Sequence, residues 1–460
     1  MPDTIAAIAT APAAAAVGIV RLSGAETRRV LAALFTPVNG RSAAELPPRR
    51  MTYGTVRDAE GRTLDHALAV VFSAGHSYTG EESAELHCHG SPVVLQEVLR
   101  AAFAAGARQA RAGEFTERAF LNGKMDLTEA EAVIDLIDAE TAEAARNAAA
   151  QVDGALRRPL EQVYDALLGL TSRFYAVVDY PDEDIEDLTL AETERTLTES
   201  EQTLAALLGT FARGRVLKSG AATAIVGAPN AGKSSLLNAL VGYDRAIVTD
   251  LPGTTRDTVE EKAVVGGVLL RLIDTAGIRE TDDAVERLGV ERSRRAVESA
   301  DLVIVVADGS HTPLTVEPDI LALAARAPHW ILAISKDDRN PAVKTAVWRL
   351  PDGAPAPEYL VSFNSVMPGG LDALIDMIGD CFPAGVPAGG TLLTNARQAE
   401  AVDRALNAVR AAREALTAGL TPDVVLTEAE GALDALGELT GRTAREDMVT
   451  RIFERFCVGK

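Results

Sequence analysis

The sequence is poor in cysteine and has no long apolar segment. Its three cysteines, Cys88, Cys381 and Cys457, are scattered over 460 residues. This usage predicts neither a disulfide framework nor a zinc ribbon, and it favours a reducing compartment. The longest apolar runs, such as residues 302–307, fall far below the roughly 18 residues that span a bilayer, and the first residues lack a secretory signal. We therefore expect a cytoplasmic protein that does not cross a membrane.

Positive charge is also scarce. The chain has 45 basic and 66 acidic residues, which gives a formal net charge of −21. This balance argues against a protein that coats nucleic acid by bulk charge, although a local basic site remains compatible with it. The apolar content of 47% is ordinary for a globular chain, and the length is typical of roughly two to four domains.

The segment from Gly227 to Ser234 matches the phosphate-binding pattern G-x-x-x-x-G-K-[ST]. It lies between an apolar strand-like run, residues 221–226, and a helix-like run, residues 235–241. Backbone N–H groups of such a turn surround a β-phosphate, Lys233 reaches the β- and γ-phosphate oxygens, and the Ser234 hydroxyl binds Mg²⁺. The sequence therefore predicts a nucleoside triphosphate site here.

Strand-like and helix-like runs alternate after this motif, which predicts a mostly parallel sheet covered on both faces. The loops at the strand ends carry the expected chemistry. Thr255 can close on Mg²⁺ and the γ-phosphate, Asp274 can hold Mg²⁺ through water, and the Gly277 N–H can contact the γ-phosphate. Asp338 can accept two hydrogen bonds from guanine, which adenine cannot donate. These spacings resemble those of Ras-like GTPases.

Three positions depart from that pattern. Ser335 replaces the usual Asn of the base-reading motif, and the following loop reads Ser362-Phe-Asn364. Ile278 stands where Ras-like enzymes place the Gln that orients the attacking water. An apolar side chain cannot orient water, so another group must. The charge that an arginine finger would neutralise must be met by Arg279 or Arg256, by a partner's arginine, or by a cation.

The rest of the chain has two characters. The first 120 or so residues are mixed α/β, and His87-Cys-His89 lies in a strand-like run whose histidines share one face, which favours a structural role over a metal site. Long helical patterns flank the nucleotide-binding region and include predicted helices over residues 128–152 and 190–217. Predicted capping boxes lie at Thr128–Glu131 and Thr427–Glu430. A helical domain interrupted by an inserted nucleotide-binding domain explains this order. The predicted domains are residues 1–122, 123–217, 218–380 and 381–460.

Specific motifs from one end of the chain to the other resemble those of the MnmE (TrmE) family of tRNA modification GTPases. They are Asp3-Thr-Ile5, Gly18-Ile-Val-Arg-Leu-Ser-Gly24, Ser77-Tyr-Thr-Gly-Glu81, the segment from Gly113 to Lys124, Tyr180-Pro-Asp-Glu-Asp184, Asp274-Thr-Ala-Gly-Ile-Arg-Glu280 and Cys457-Val-Gly-Lys460. The resemblance implies an α/β plus all-α protein. It would have an N-terminal α/β folate-binding and dimerising domain, a discontinuous helical domain and an inserted Ras-like P-loop G domain.

The family's activity implies a set of partners and cofactors. Such a protein hydrolyses GTP with Mg²⁺ and, as a homodimer, works with the FAD-containing protein MnmG (GidA) in a heterotetramer or larger complex. Together they attach a carboxymethylaminomethyl or aminomethyl group to C5 of the wobble uridine of tRNA. A tetrahydrofolate derivative, 5-formyl- or methylene-tetrahydrofolate, supplies the one-carbon unit. K⁺ replaces the arginine finger when two G domains pair.

The resemblance also assigns residues. Glu286 would orient the attacking water, and folate would contact Arg21, Glu85, Lys124 and Lys460. The K⁺ ligands would be Asn230, Thr249, Leu251 and Thr254, with Pro252 in place of the small residue usual in that loop. With the motifs above, the predicted GTP-binding residues are Asn230, Ala231, Gly232, Lys233, Ser234, Ser235, Thr249, Thr254, Thr255, Asp274, Thr275, Ala276, Gly277, Ser335, Lys336 and Asp338; Mg²⁺ would be held by Ser234 and Thr255.

Cys457 and the overall function leave alternatives open. Cys457 can be a thiolate nucleophile toward C6 of uridine, a carrier of the one-carbon unit, or an unreactive residue of the tail. The whole chain can instead be a ribosome-assembly or signalling GTPase, or a folate-binding module with a vestigial G domain. The N-terminal motifs and the Cys-x-Gly-Lys ending favour tRNA modification.

Overall fold

The computed structural model describes residues 3–179, 189–243, 261–273, 296–310, 316–336, 355–382, 392–443 and 446–459. The chain forms two compact units. The first contains Met1–Ile134, Gln151–Leu204 and Ala401–Lys460, and the second contains Asp135–Ala150 and Ala205–Glu400. The predicted domain boundaries remain predictions. In the part of the chain that is described, no helix combines the length and the apolar character of a membrane span.

The first unit is built on a seven-stranded sheet with the order β3-β4-β5-β6-β2-β1-β7. Its neighbouring strands are antiparallel apart from the parallel pair β1 and β7. Helices Thr27–Leu34 and Pro92–Ala104 pack on one face, over buried residues such as Leu22 and Leu86. The strands are β1 Ile5–Ile8, β2 Ala15–Ser23, β3 Phe35–Pro37, β4 Thr52–Arg57, β5 Thr63–Phe72, β6 Ser83–Gly90 and β7 Arg108–Gln109.

Strand β6 shows how alternation sorts side chains between the two faces. Cys88 is buried in the core, and burial raises the pKa of its thiol to about 12. His87 and His89 lie on the other face, where they contact Glu85 and Asp65 at 3.2 and 2.7 Å. Each histidine is therefore satisfied by a carboxylate, in agreement with the structural role predicted for this motif.

Most of the remaining described residues outside the second sheet are helical. The predicted continuous helix over 128–152 is two helices, and the predicted helix over 190–217 also divides into two. The helices are Glu114–Leu121, Leu127–Ile137, Ala142–Val152, Arg157–Asp179, Leu190–Gly209, Phe211–Ser219, Ala396–Thr417, Pro422–Thr440 and Glu446–Phe453.

Both predicted capping boxes are wrong. Helix Leu127–Ile137 has a capping box formed by Asp126 and Glu129. The Glu129 N–H donates to Asp126 Oδ1 at 2.8 Å, and the Asp126 N–H donates to Glu129 Oε2 at 2.9 Å. Thr128 instead donates its hydroxyl to Asp126. Thr427 lies inside helix Pro422–Thr440 and donates to the carbonyl of Asp423. A Ser/Thr-x-x-Glu pattern also occurs within helices, so it marks a helix start only where the backbone ends there.

The second unit contains a six-stranded sheet with the order β13-β12-β11-β8-β10-β9. All pairings are parallel except that of β9, an edge strand that the sequence analysis missed. Separate apolar clusters cover its two faces, one including helix Lys233–Tyr243 and the other Leu321 and Ala324. The predicted parallel sheet is thus confirmed. Its strands are β8 Ala221–Val226, β9 Glu261–Val265, β10 Val268–Leu272, β11 Leu302–Asp308, β12 His329–Ser335 and β13 Tyr359–Ser362, and its other helices are Pro318–Ala324 and Asp372–Cys381.

A buried arginine fixes the N-terminal segment of the first unit. The Arg118 side chain is 1% exposed and ion-pairs with Asp3, Glu81 and Glu114 at 2.8 to 3.0 Å. Burial by itself raises the pKa of Glu114, but hydrogen bonds from Arg108 and Arg118 outweigh it and lower the pKa to about 2. The cluster therefore ties the chain start, the Ser77–Glu81 loop and helix Glu114–Leu121 together.

We expect Arg118→Met to destabilise the first unit by about 3 kcal/mol at pH 7, because the ion pairs of Arg118 with the buried Glu114 and the partly buried Glu81 are lost while Arg108 still pairs with Glu114. The difference from wild type should shrink as pH falls from about 4.5 toward 2, where the depressed pKa of Glu114 allows protonation. Hydrogen exchange of peptides within residues 3–124 measures the change in stability. The control is Arg100→Met, which removes an exposed ion pair with Glu97 in the same helix. Equal protection in the two variants would contradict the role of the cluster.

Candidate functional site

The predicted phosphate-binding loop joins β8 to helix Lys233–Tyr243, as the motif requires. Its two glycines are needed for different reasons. Gly227 has φ 149°, and a Cβ there would lie 2.2 Å from the carbonyl oxygen of Val306 in β11. Gly232 has φ 104°, a backbone conformation that side chains disfavour. The loop is therefore held tightly against the neighbouring strand.

Lys233 lies across this loop. Its ammonium donates to the carbonyls of Gly227 and Ala228 at 2.9 and 2.8 Å, and burial lowers its pKa. Helix N–H groups begin at the same residue, so the loop combines a cation with the positive end of a helix dipole. This arrangement suits the β- and γ-phosphates of a nucleotide. Ala231 is buried beside it, and Ser234 and Ser235 follow in the first helical turn.

The end of β12 touches the same loop. The Ser335 hydroxyl lies 2.5 Å from the carbonyl oxygen of Ala231 and 3.2 Å from that of Ala307. Ser335 thus connects the predicted base-reading motif to the phosphate loop. In the next loop, Asn364 Oδ1 accepts hydrogen bonds from the backbone N–H groups of Val366 and Met367, which makes Ser362-Phe-Asn364 part of a closed turn.

The sequence analysis missed Asp308. The Lys336 ammonium donates to the Asn230 carbonyl at 2.8 Å and to Asp308 Oδ2 at 2.6 Å. Asp308 is the last residue of β11 and is paired in register with Ser335. The sequence did contain a signal for Asp308. It is a carboxylate at the carboxyl end of a predicted buried strand, and the predicted base-reading motif lies at the end of another such strand.

Several predicted site residues lie outside the described part of the chain and remain predictions. The described residues of the predicted nucleotide site are Asn230, Ala231, Gly232, Lys233, Ser234, Ser235, Ser335 and Lys336, and they converge at the carboxyl ends of β8 and β12. Those outside are Thr249, Leu251, Thr254, Thr255, Asp274, Thr275, Ala276, Gly277, Glu286, Asp338 and Lys460.

A second cluster lies on the face of the first unit's sheet opposite the helices. Arg21 in β2 forms an ion pair with Glu85 in β6 at 2.9 Å, and its guanidinium lies 5.7 and 5.6 Å from the ring centroids of Tyr78 and Phe115. The predicted folate residues Arg21 and Glu85 are therefore in contact. Lys124 is placed by the Tyr78 loop, where its ammonium donates to the Gly75 carbonyl at 3.1 Å.

The chain matches known proteins over its whole length. Residues 4–124 match the family described as GTP-binding protein TrmE N-terminus, and residues 127–457 match the MnmE helical domain. The chain belongs to the MnmE family of tRNA modification GTPases. The family inferred from the sequence is therefore confirmed, and so is the prediction of a GTPase that acts in tRNA modification.

Relatives named tRNA modification GTPase MnmE cover all of this chain. Those of Roseiflexus sp. (strain RS-1), Heliobacterium modesticaldum and Synechococcus sp. (strain JA-3-3Ab) are 42%, 40% and 43% identical, over 99% of their own length. Among solved structures, the G domain of the T. maritima FeoB iron transporter is 25% identical over 35% of this chain and 96% of its own, with a TM-score of 0.23. The family assignment rests on the full-length relatives.

In this MnmE family member the C-terminal tail packs against the N-terminal region within the first unit. Val458 forms an antiparallel bridge with Ala112, the Gly113 N–H donates to the Cys457 carbonyl at 3.4 Å, and Arg21 donates to the Gly459 carbonyl at 3.4 Å. Of the three cysteines, all of which are described, only Cys457 is exposed. The exposed Cys457 thiol is therefore two residues along the chain from Gly459, which contacts Arg21 of the Arg21 and Glu85 cluster.

Proposed function

We propose that this chain is the GTP-hydrolysing component of the machinery that modifies C5 of wobble uridine in tRNA. One observation carries the proposal: a complete phosphate loop, tied by Ser335 to the base-reading strand, lies in a chain that matches tRNA modification GTPases from end to end. The group added is carboxymethylaminomethyl or aminomethyl. GTP is selected by Asp338, two residues after Lys336, and Mg²⁺ is held by Ser234 and Thr255.

Hydrolysis in this proposal depends on K⁺. Ile278 offers no water-orienting group, so Glu286 takes that role and a cation supplies the charge of an arginine finger. Asn230 is exposed at the tip of the phosphate loop and has a left-handed backbone, with φ 60°. With Thr249, Leu251 and Thr254 it would give an oxygen-rich ligand set, which suits a hard cation. The site would be completed when two G domains pair.

We expect GTP turnover to be faster in KCl than in NaCl at equal ionic strength and to rise with protein concentration. Asn230→Ala should remove the K⁺ response while GTP still binds, and Glu286→Ala should lower turnover by roughly 10²- to 10⁴-fold. Asn407→Ala, an exposed helical residue of the first unit, is the matched control. Steady-state phosphate release measures all four proteins. Equal wild-type rates in the two salts would discard the cation mechanism, and absence of turnover would favour a vestigial G domain.

The cluster at Arg21 is proposed as the folate site. The Arg21 guanidinium is directed by Glu85 and flanked by two aromatic rings, and it can bind the glutamate carboxylate of a tetrahydrofolate. Glu85 can accept from the amine donors of the pteridine, and Lys124 and Lys460 add positive charge. The ligand would be 5-formyl- or methylene-tetrahydrofolate. Bound there, it would supply the one-carbon unit.

Calorimetry with the full chain and 5-formyltetrahydrofolate tests this site. Arg21→Ala should weaken binding by about 10- to 100-fold, the scale of one charge-assisted hydrogen bond, and Glu85→Gln should weaken it less. Arg62→Ala changes an exposed arginine that pairs with Asp58 and should bind as wild type does. Wild-type affinity in both Arg21→Ala and Glu85→Gln would exclude this location for folate.

We also propose that the chain is a cytoplasmic homodimer that works with the FAD protein MnmG in a heterotetramer or larger complex. The sheet face that carries Arg21 supports a self-association surface. Ile19, His87, Leu68 and Tyr53 form one continuous cross-strand row on it, and Leu68 and Tyr53 are 39% and 53% exposed. The exposed apolar side chains of this row, Leu68 and Tyr53, are typical of an interface.

The tail cysteine gives the test of the tRNA reaction. We expect Cys457→Ser to abolish the modified wobble uridine while GTP turnover persists, because the exposed thiol lies on the tail and outside every nucleotide motif. Mass spectrometry of tRNA nucleosides from cells carrying only the variant measures it, with the wild-type chain restored as the control. Normal modification would make Cys457 an unreactive tail residue. A normal level of modified wobble uridine in cells that lack the chain would instead favour a ribosome-assembly or signalling GTPase.

A further inference from the structure

Asp308, the last residue of β11, and Lys336, the residue after β12, form a polar bridge to the phosphate loop. Lys336 Nζ lies 2.6 Å from Asp308 Oδ2 and 2.8 Å from the Asn230 carbonyl oxygen. Asn230 and Lys336 both have left-handed backbones, with φ 60° and 58°. This conformation is uncommon for non-glycine residues, more so for lysine than for asparagine, and contacts from the surroundings stabilise it. The bridge joins the two residues that need such support.

Asp308 is itself oriented by hydrogen bonds from Ser310. Its Oδ1 accepts hydrogen bonds from the N–H of Ser310 at 2.9 Å and from the Ser310 hydroxyl at 2.6 Å, which leaves Oδ2 directed at Lys336. Burial alone raises the pKa of Asp308, but the hydrogen bonds from Lys336 and Ser310 outweigh it and lower the pKa to about 2. The carboxylate is therefore charged and fixed in orientation throughout the physiological pH range.

We propose that Asp308, supported by Ser310, is a positioning residue for nucleotide binding: it holds the Lys336 ammonium against the Asn230 carbonyl and so fixes the tip of the phosphate loop. A lysine ammonium is a point charge on a flexible stem, so its direction depends on its partners. With Asp308 in place, Lys336 is set before nucleotide arrives, and binding need not order it. This role requires only GTP binding and is independent of K⁺, folate and the tRNA reaction.

The test is a double-mutant cycle on nucleotide affinity. Asp308→Asn keeps the acceptor for Ser310 but presents an amide donor to Lys336, so the full-length variant should bind GDP and GTP about three- to thirtyfold more weakly. Lys336→Met removes the residue through which Asp308 acts. In that background Asp308→Asn should change affinity by less than about twofold, because its target is gone. A fluorescent guanine nucleotide titrated at fixed ionic strength gives the four dissociation constants.

Glu358→Gln is the matched control. It makes the same carboxylate-to-amide change in the partner of His329, at the opposite end of β12, where Glu358 Oε2 lies 2.9 Å from His329 Nδ1. It should leave nucleotide affinity unchanged. Wild-type affinity in Asp308→Asn would overturn the proposal. So would an equal loss in the wild-type and Lys336→Met backgrounds, since Asp308 would then act on the fold and not through Lys336; thermal unfolding of each variant identifies such a loss.

Discussion

The nucleotide site depends on the close approach of one loop to one strand. The carbonyl oxygen of Val306 in β11 occupies the space where a side chain of Gly227 would begin. This contact is possible because β8 and β11 are parallel, adjacent and in register along buried residues. The loop that leaves β8 therefore turns directly over the end of β11. Ser335, at the end of β12, donates a hydrogen bond to the loop, and Asp308, at the end of β11, accepts one from Lys336, which also donates to the loop. Without that approach, neither Lys336 nor Ser335 would contact the loop.

The first unit uses a comparable constraint at the other end of the chain. Gly459 has φ 103°, and a Cβ there would lie 2.3 Å from the carbonyl oxygen of Ile8 in β1. Gly113 similarly approaches the carbonyl of Phe453. The tail thus packs backbone against backbone, which places Cys457 on the surface and the Gly459 carbonyl beside Arg21. The Arg21 cluster is therefore assembled from β2, β6, the rings of Tyr78 and Phe115, and the Gly459 carbonyl of the tail.

The pattern of apolar residues along the chain predicted the strands and helices that are buried on both faces or on one face with a regular period. The runs that form β8, β11 and β12 are almost wholly buried, and such apolar runs between turn residues are readable from sequence. Short or weakly patterned strands, such as β3 and β9, were missed because their pairing depends on neighbours distant in the chain. The capping boxes were misplaced because the side-chain pattern at Thr128 and Thr427 is the same inside a helix as at its start.

The sequence by itself determined the family, the phosphate-binding chemistry and the alternation that puts Cys88 in the core and its neighbouring histidines outside it. These follow from residue type and spacing along a single element. Only the tertiary structure decided that Arg21 is paired with Glu85, that Ser335 replaces asparagine as a link to the phosphate loop, and that Asp308 holds Lys336. Each of these contacts joins residues at least 28 positions apart. Their geometry is set by strand register and loop approach, which are properties of packed neighbours and have no signature in local sequence.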